Sequence, residues 1–156
     1  ELGHHEHRDV FKCLIDLGCR CMELLTLEKR FIDFQKNQIT FQERKNGRPN
    51  TVPMSNKVRE IIKPYYDKCN TLDYVFDHNY YWAESVFKKV KKELGYEKQK
   101  WYKIHLFRDT AGSRLVQRGV HLLIVRDWLG HEDVKMTEKY AHLAPDSMHS
   151  VVEVLN

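Results

Sequence analysis

The sequence predicts an α+β fold, mainly helical, with a small three-stranded antiparallel sheet inserted among the helices. Three observations carry this expectation. Apolar residues recur at helical spacing in several separate segments, beginning with Val10, Phe11, Leu14, Ile15 and Leu17. Residues 31–54 hold three short runs that read as strands. Asn46-Gly47 stands between the last two runs, and both central positions of a two-residue hairpin favour left-handed backbone.

Taken in order, the first helix covers Arg8 to Leu17 and stops at Gly18, as a helix often does before a glycine. A second short helix runs through Met22, Leu24 and Leu25. Strands follow at Phe31 to Phe34, Gln38 to Gln42 and Thr51 to Met54. Ser55 is the N-cap expected for a helix through Val58, Ile61 and Ile62, which Pro64 should kink or end. After a loop near Asp73 to Asn79, the run WAESVFKKVKKELG reads as a helix stopped by Gly95. A helix over His105 to Gln117 should turn Phe107, Ala111 and Leu115 inward and end at Gly119. Leu122 to Leu129 forms the next, ended by Gly130. A short helical turn carries Tyr140, and Ser147 to Leu155 reads as a last helix.

A chain of 156 residues suits one domain, covering 1–156, and 42% hydrophobic residues are enough for a respectable core. No run approaches the roughly 18 apolar residues of a membrane span, and no signal-peptide pattern opens the chain. The expectation is therefore a cytoplasmic protein with no membrane partner. Glu1 stands where a full-length protein would have Met, so the chain reads as a fragment or a processed product. Cys13, Cys19, Cys21 and Cys69 include no CxxC pair, which favours reduced thiols over a disulfide scaffold. His4, His5 and His7 near Cys13 lack metal-ligand spacing, so no metal is expected. The net charge of +4 leans mildly toward polyanions.

Candidate functional residues come as weak signals. Arg20 and Glu23 are three apart, as are His105 and Arg108, and each pair shares one helical face. With Phe107, Ala111 and Leu115 turned inward, His105 and Arg108 should point along another edge, open to a cleft. Singly, each pair fits a solvated surface salt bridge or polar face. Lys45 enters the hairpin turn, where lysines are normally just solvated. His131 follows Leu129-Gly130, where a histidine commonly faces helix carbonyls, and Tyr140 comes nine residues later.

The ordered set GCRCMELLTL, ERKNGRPNTVPM, HLFRDTAGSRLVQRG and LGHEDVKMTEKYAHL resembles the catalytic domain of the tyrosine recombinases, the phage-integrase family, from about Leu17 to Leu143. The last segment is the most specific. Carried over residue by residue, the resemblance implies catalytic roles for Arg20, Glu23, Lys45, His105, Arg108, His131 and Tyr140. The sequence departs from the usual pattern at Asp109, where a histidine is common, and at Gly112, where alanine is usual.

The implied chemistry suits these residue types. Guanidinium forks match phosphate oxygens, so Arg20 and Arg108 would clamp the phosphate, with His131 as a further donor and Glu23 orienting Arg20. Tyr140, with an ordinary pKa near 10, needs nearby positive charge to lower it and His105 to accept or relay its proton. Lys45 would protonate the departing 5′-oxygen. The resemblance implies a 3′-phosphotyrosyl intermediate, no cofactor and double-stranded DNA as partner. It also implies a homo-tetramer on DNA, with Val151, Val152 and Leu155 of the tail packing on a neighbouring subunit. An N-terminal DNA-clamping domain, usual in such enzymes, has no counterpart here. A bacterial or phage-infected cell is the implied setting. A type IB topoisomerase and a non-catalytic helical DNA-binding module stand as alternatives.

Overall fold

A computed structural model describes residues 6–42 and 49–145. The first helix, α1 (Glu6–Leu17), buries Val10, Cys13, Leu14 and Leu17 along one stripe. Gly18 then takes left-handed backbone at φ 67°, and a Cβ there would lie 2.8 Å from Leu129 Cδ2 and 3.0 Å from Ala111 Cβ. Glycine is needed there for conformation and for space. The short α2 (Cys21–Leu25) buries Leu24 and Leu25.

The sheet has the strand order β1-β2-β3, from β1 (Ile32–Asp33), β2 (Gln38–Phe41) and β3 (Asn50–Pro53), antiparallel throughout. Ile39 pairs with both Ile32 and Val52, and all three are buried on one face. The first two strands are shorter than the sequence suggested, and the third keeps its length but starts one residue earlier. The Asn46-Gly47 turn lies outside the described residues, as does the helix expected at Ser147 to Leu155.

Ser55 caps α3 (Asn56–Lys68), its Oγ accepting from Val58 N at 3.2 Å. Pro64 does not end this helix, contrary to expectation. It lies on the exposed side, where water can satisfy the carbonyl it leaves unpaired. Tyr65 is buried beside it and donates to Asp9 at 2.9 Å, anchoring the next turn to α1. Asn79 caps α4 (Tyr80–Glu93), which begins two residues before the expected run.

The C-terminal part consists of α5 (Leu106–Gln117), α6 (Leu122–Leu129), α7 (Lys135–Glu138) and a 3-10 turn at Ala141–Leu143. The inward face of α5 corrects the sequence reading. Arg108, Ala111, Gly112 and Val116 are buried, while Phe107 and Leu115 are only partly so. The helix is wedged between neighbours and has apolar contacts on two sides. Phe107 stacks on Phe11 of α1 at 5.0 Å, and Leu115 packs against the α6 cluster.

The main core joins α1, α2, the sheet and α3 with Phe76, Ala83 and Ile104. A smaller cluster holds Val116, Val125, Leu129 and Tyr140. Trp128 packs against both and donates from Nε1 to Leu17 O at 2.9 Å. Among the described residues no helix is long and apolar enough to cross a membrane.

Candidate active site

Arg108 is only 2% exposed, and its position follows from two helix ends. It donates to Gly18 O, just past the end of α1, at 2.8 Å and to Leu129 O, the last residue of α6, at 2.6 Å. Carbonyls at a helix C-terminus have no intrahelical partner and carry partial negative charge. Two such ends converging on one guanidinium offset much of the cost of burying it. Burial and the neighbouring Arg20 still pull the Arg108 pKa down from its usual range.

Arg20 stands in front of α2, and Glu23 answers it twice. Glu23 Oε1 accepts from the guanidinium at 2.6 Å and Oε2 accepts from Arg20 N at 2.7 Å. One carboxylate thus fixes both the start of α2 and the direction of the arginine. The Arg20 side chain remains 41% exposed, so the guanidinium is held yet reachable.

His131 follows Gly130, which ends α6 in left-handed backbone at φ 65°. Its N–H bonds Arg126 O at 3.0 Å, and its ring Nδ1 shares a 2.8 Å hydrogen bond with Thr137 Oγ1. Burial, then Arg108, Lys139, Arg20 and His105, push its pKa down to about 4, so the ring is neutral at pH 7. His105 stands immediately before α5, makes no side-chain capping bond and is exposed. Its pKa is lowered by partial burial and by Arg108, Lys139 and Arg20, against the opposing effect of Asp109.

Tyr140 sits immediately beyond α7 and is buried. Its hydroxyl donates to Asp109 Oδ1 at 2.9 Å, and Lys139 Nζ donates to the same oxygen at 2.6 Å. The Lys139 ammonium also lies 4.8 Å from the centroid of the Tyr140 ring. Here the structure departs from the expected electrostatics. Burial is the largest influence and raises the phenol pKa, with Asp109 adding to it and Lys139 opposing.

Six of the seven sequence-predicted residues therefore lie in one region, linked by mutual electrostatic influence among Arg20, Glu23, His105, Arg108, His131 and Tyr140. The seventh, Lys45, lies outside the described residues. The sequence reading missed Thr137, which orients His131, and Lys139, which pairs with Asp109. No charge pattern marked Lys139. Asp109 and Gly112 were visible only as departures from a family pattern. Among the described residues, no group of three His, Cys, Asp or Glu is placed to hold a metal ion. The buried thiols of Cys13 and Cys19 are pushed well above their usual pKa and are unsuited to nucleophilic work.

Comparison with known proteins places this geometry in a family. The model of the phage integrase family matches residues 3–147. A tyrosine recombinase, XerA of Saccharolobus solfataricus, is 27% identical over 141 residues, covering 90% of this chain and 47% of that protein. The integrase of Escherichia phage 186 is 30% identical over 157 residues, covering 99% of this chain and 44% of its own. The chain thus spans just under half the length of these relatives. Among solved structures, the catalytic domain of bacteriophage HP1 integrase superposes with a TM-score of 0.75 at 25% identity, covering 93% of this chain and 79% of that one. A match over nearly the whole length, on a helical fold with the same small sheet, means that this chain belongs to the phage integrase family.

Proposed function

We propose that this chain is the catalytic domain of a site-specific DNA recombinase, with Tyr140 as the nucleophile. One observation carries the reading: a buried guanidinium and a reachable one, Arg108 and Arg20, lie near enough to two imidazoles and a phenol for their charges to act on one another. A phosphodiester is already anionic and gains charge as it is attacked. Preorganised donors of this kind contribute roughly 3–4 kcal/mol each to transition-state stabilisation. Arg108 spends one donor of each terminal nitrogen on the carbonyls and keeps the others for phosphate oxygens. Neutral His131 donates one further hydrogen bond.

In the reaction, Tyr140 Oη attacks phosphorus, the bond to the 5′-oxygen breaks, and the phosphate stays linked to tyrosine at the 3′ side. His105 takes the phenol proton, and Lys45 delivers one to the leaving 5′-oxygen. The 5′-hydroxyl of a second strand then reverses the step. The bond energy is retained in the covalent link, so the scheme requires no cofactor. Double-stranded DNA is the partner, assembly is as a tetramer on that DNA, and the setting is the cytoplasm of a bacterial or phage-infected cell.

The test is a nicked suicide duplex, which traps the intermediate. A denaturing gel should show a protein–DNA adduct with the native chain and none with Tyr140→Phe, which still binds DNA. Absence of any adduct from the native chain sinks the proposal. Exchange between two duplexes, rather than relaxation of supercoils, separates a recombinase from a topoisomerase.

A further inference from the structure

We propose that Asp109 is a positioning residue for Tyr140, and that Asp109 and Gly112 together form a cradle on α5 that docks the phenol in its protonated form. The inference rests on Tyr140 being the nucleophile, as argued above. Asp109 Oδ1 receives the Tyr140 hydroxyl at 2.9 Å and holds the Lys139 ammonium at 2.6 Å. Gly112 is three residues further along α5 and therefore on the same face. A Cβ on Gly112 would come within 2.7 Å of Tyr140 Cε2 and 2.8 Å of Cζ. The ring lies directly against the helix backbone, in a notch that any side chain would fill.

Gly112 has no conformational reason to be glycine. It is a buried position inside a helix and is not among the glycines with positive φ. A glycine there costs about 1 kcal/mol relative to alanine. Room for the phenol is what the missing side chain provides. The two positions at which this sequence departs from the family pattern thus meet at one side chain, Asp109 at its hydroxyl and Gly112 at its ring.

The charges explain what docking does. Asp109 and Arg108 from α5 and Lys139 from the end of α7 act on the phenol, with His105 close to Asp109 and His131 close to Lys139. A carboxylate accepting the phenolic hydrogen bond opposes ionisation, because the phenolate would face it as a like charge. Lys139 balances Asp109, so the carboxylate does not repel an incoming phosphate. The cradle keeps the hydroxyl protonated near Arg108, and Oη must leave Asp109 before it attacks.

Tyrosine labelled with carbon-13 at Cζ gives a direct readout, because the Tyr140 resonance, assigned by its loss in Tyr140→Phe, reports ionisation without DNA or turnover. Asp109→Asn retains an acceptor and removes the charge. Its Tyr140 resonance should titrate about one unit lower, and single-turnover cleavage below that limb should rise roughly tenfold with unchanged half-saturating DNA. Gly112→Ala should move the resonance toward that of an exposed tyrosine while Asp109 is intact. Native-like titration in Asp109→Asn, or a native resonance in Gly112→Ala, overturns the cradle even where adduct forms. A native chain that forms no adduct overturns the recombinase reading instead, whatever the resonances do.

Discussion

The part of the molecule built from α1 to α4 and the sheet handles burial differently from the part built from α5 to α7. In the first, the wholly buried side chains are apolar, among them Leu14, Leu24, Ile39, Ile62 and Phe76. In the second, the apolar cluster is small, and Arg108, His131 and Thr137 are buried with it. These three are the buried polar or charged residues among those described. Burying such groups is costly unless each finds partners. Two helix-end carbonyls supply them for Arg108, and His131 and Thr137 bond each other. One part stabilises the fold, and the other spends stability on holding polar groups in a fixed arrangement.

The two arginines allow the largest test of this contrast. Arg108→Ala strands two carbonyl acceptors at about 1–3 kcal/mol each, read from denaturant unfolding. Arg20→Ala removes a pair that is 41% exposed on the arginine side and should cost less than about 1 kcal/mol. Both should lower adduct formation by at least about a hundredfold. Equal destabilisation by the two would erase the distinction between scaffold and site.

Acid sharpens the same comparison at a single residue. The folded-state pKa of His131 is depressed to about 4, while the unfolded chain titrates near 6.5. The associated stability is complete above pH 6.5 and is lost as pH falls toward 4, by about 3 kcal/mol. Asp109, whose pKa is also lowered, adds loss of the same sign further into acid. The measurement is the difference in unfolding free energy between pH 7 and pH 4.5. It should shrink in His131→Asn relative to native, and an identical pH slope in the two would exclude the assignment.

The smallest expected effect lies at the join. Trp128→Phe keeps most of the packing against both clusters but deletes the donor to Leu17 O. It should cost about 1 kcal/mol, measured by denaturant midpoint. A silent substitution would mean that this hydrogen bond adds nothing to holding the two parts together.

Much of the fold was legible because its signals are local. Spacing in α1 and α6, glycine at the end of each, and Ser55 in front of α3 all act within a few residues. Pro64 misled because a proline's effect depends on whether the carbonyl it frees faces water. The face of α5 misled for a related reason. Periodicity assumes one buried side, whereas this helix is wedged between neighbours, so charged Arg108 points into the junction.

By itself the sequence determined the order of elements, where most of them stop, and which residue types are present to handle a phosphate. Tertiary structure alone decided that Arg108 sits where two helix ends meet and that Tyr140 docks between Asp109 and Gly112. The physical reason is separation along the chain. The bonds that settle these points span 21 positions from Arg108 to Leu129, 31 from Tyr140 to Asp109 and 90 from Arg108 to Gly18, beyond the reach of any local pattern.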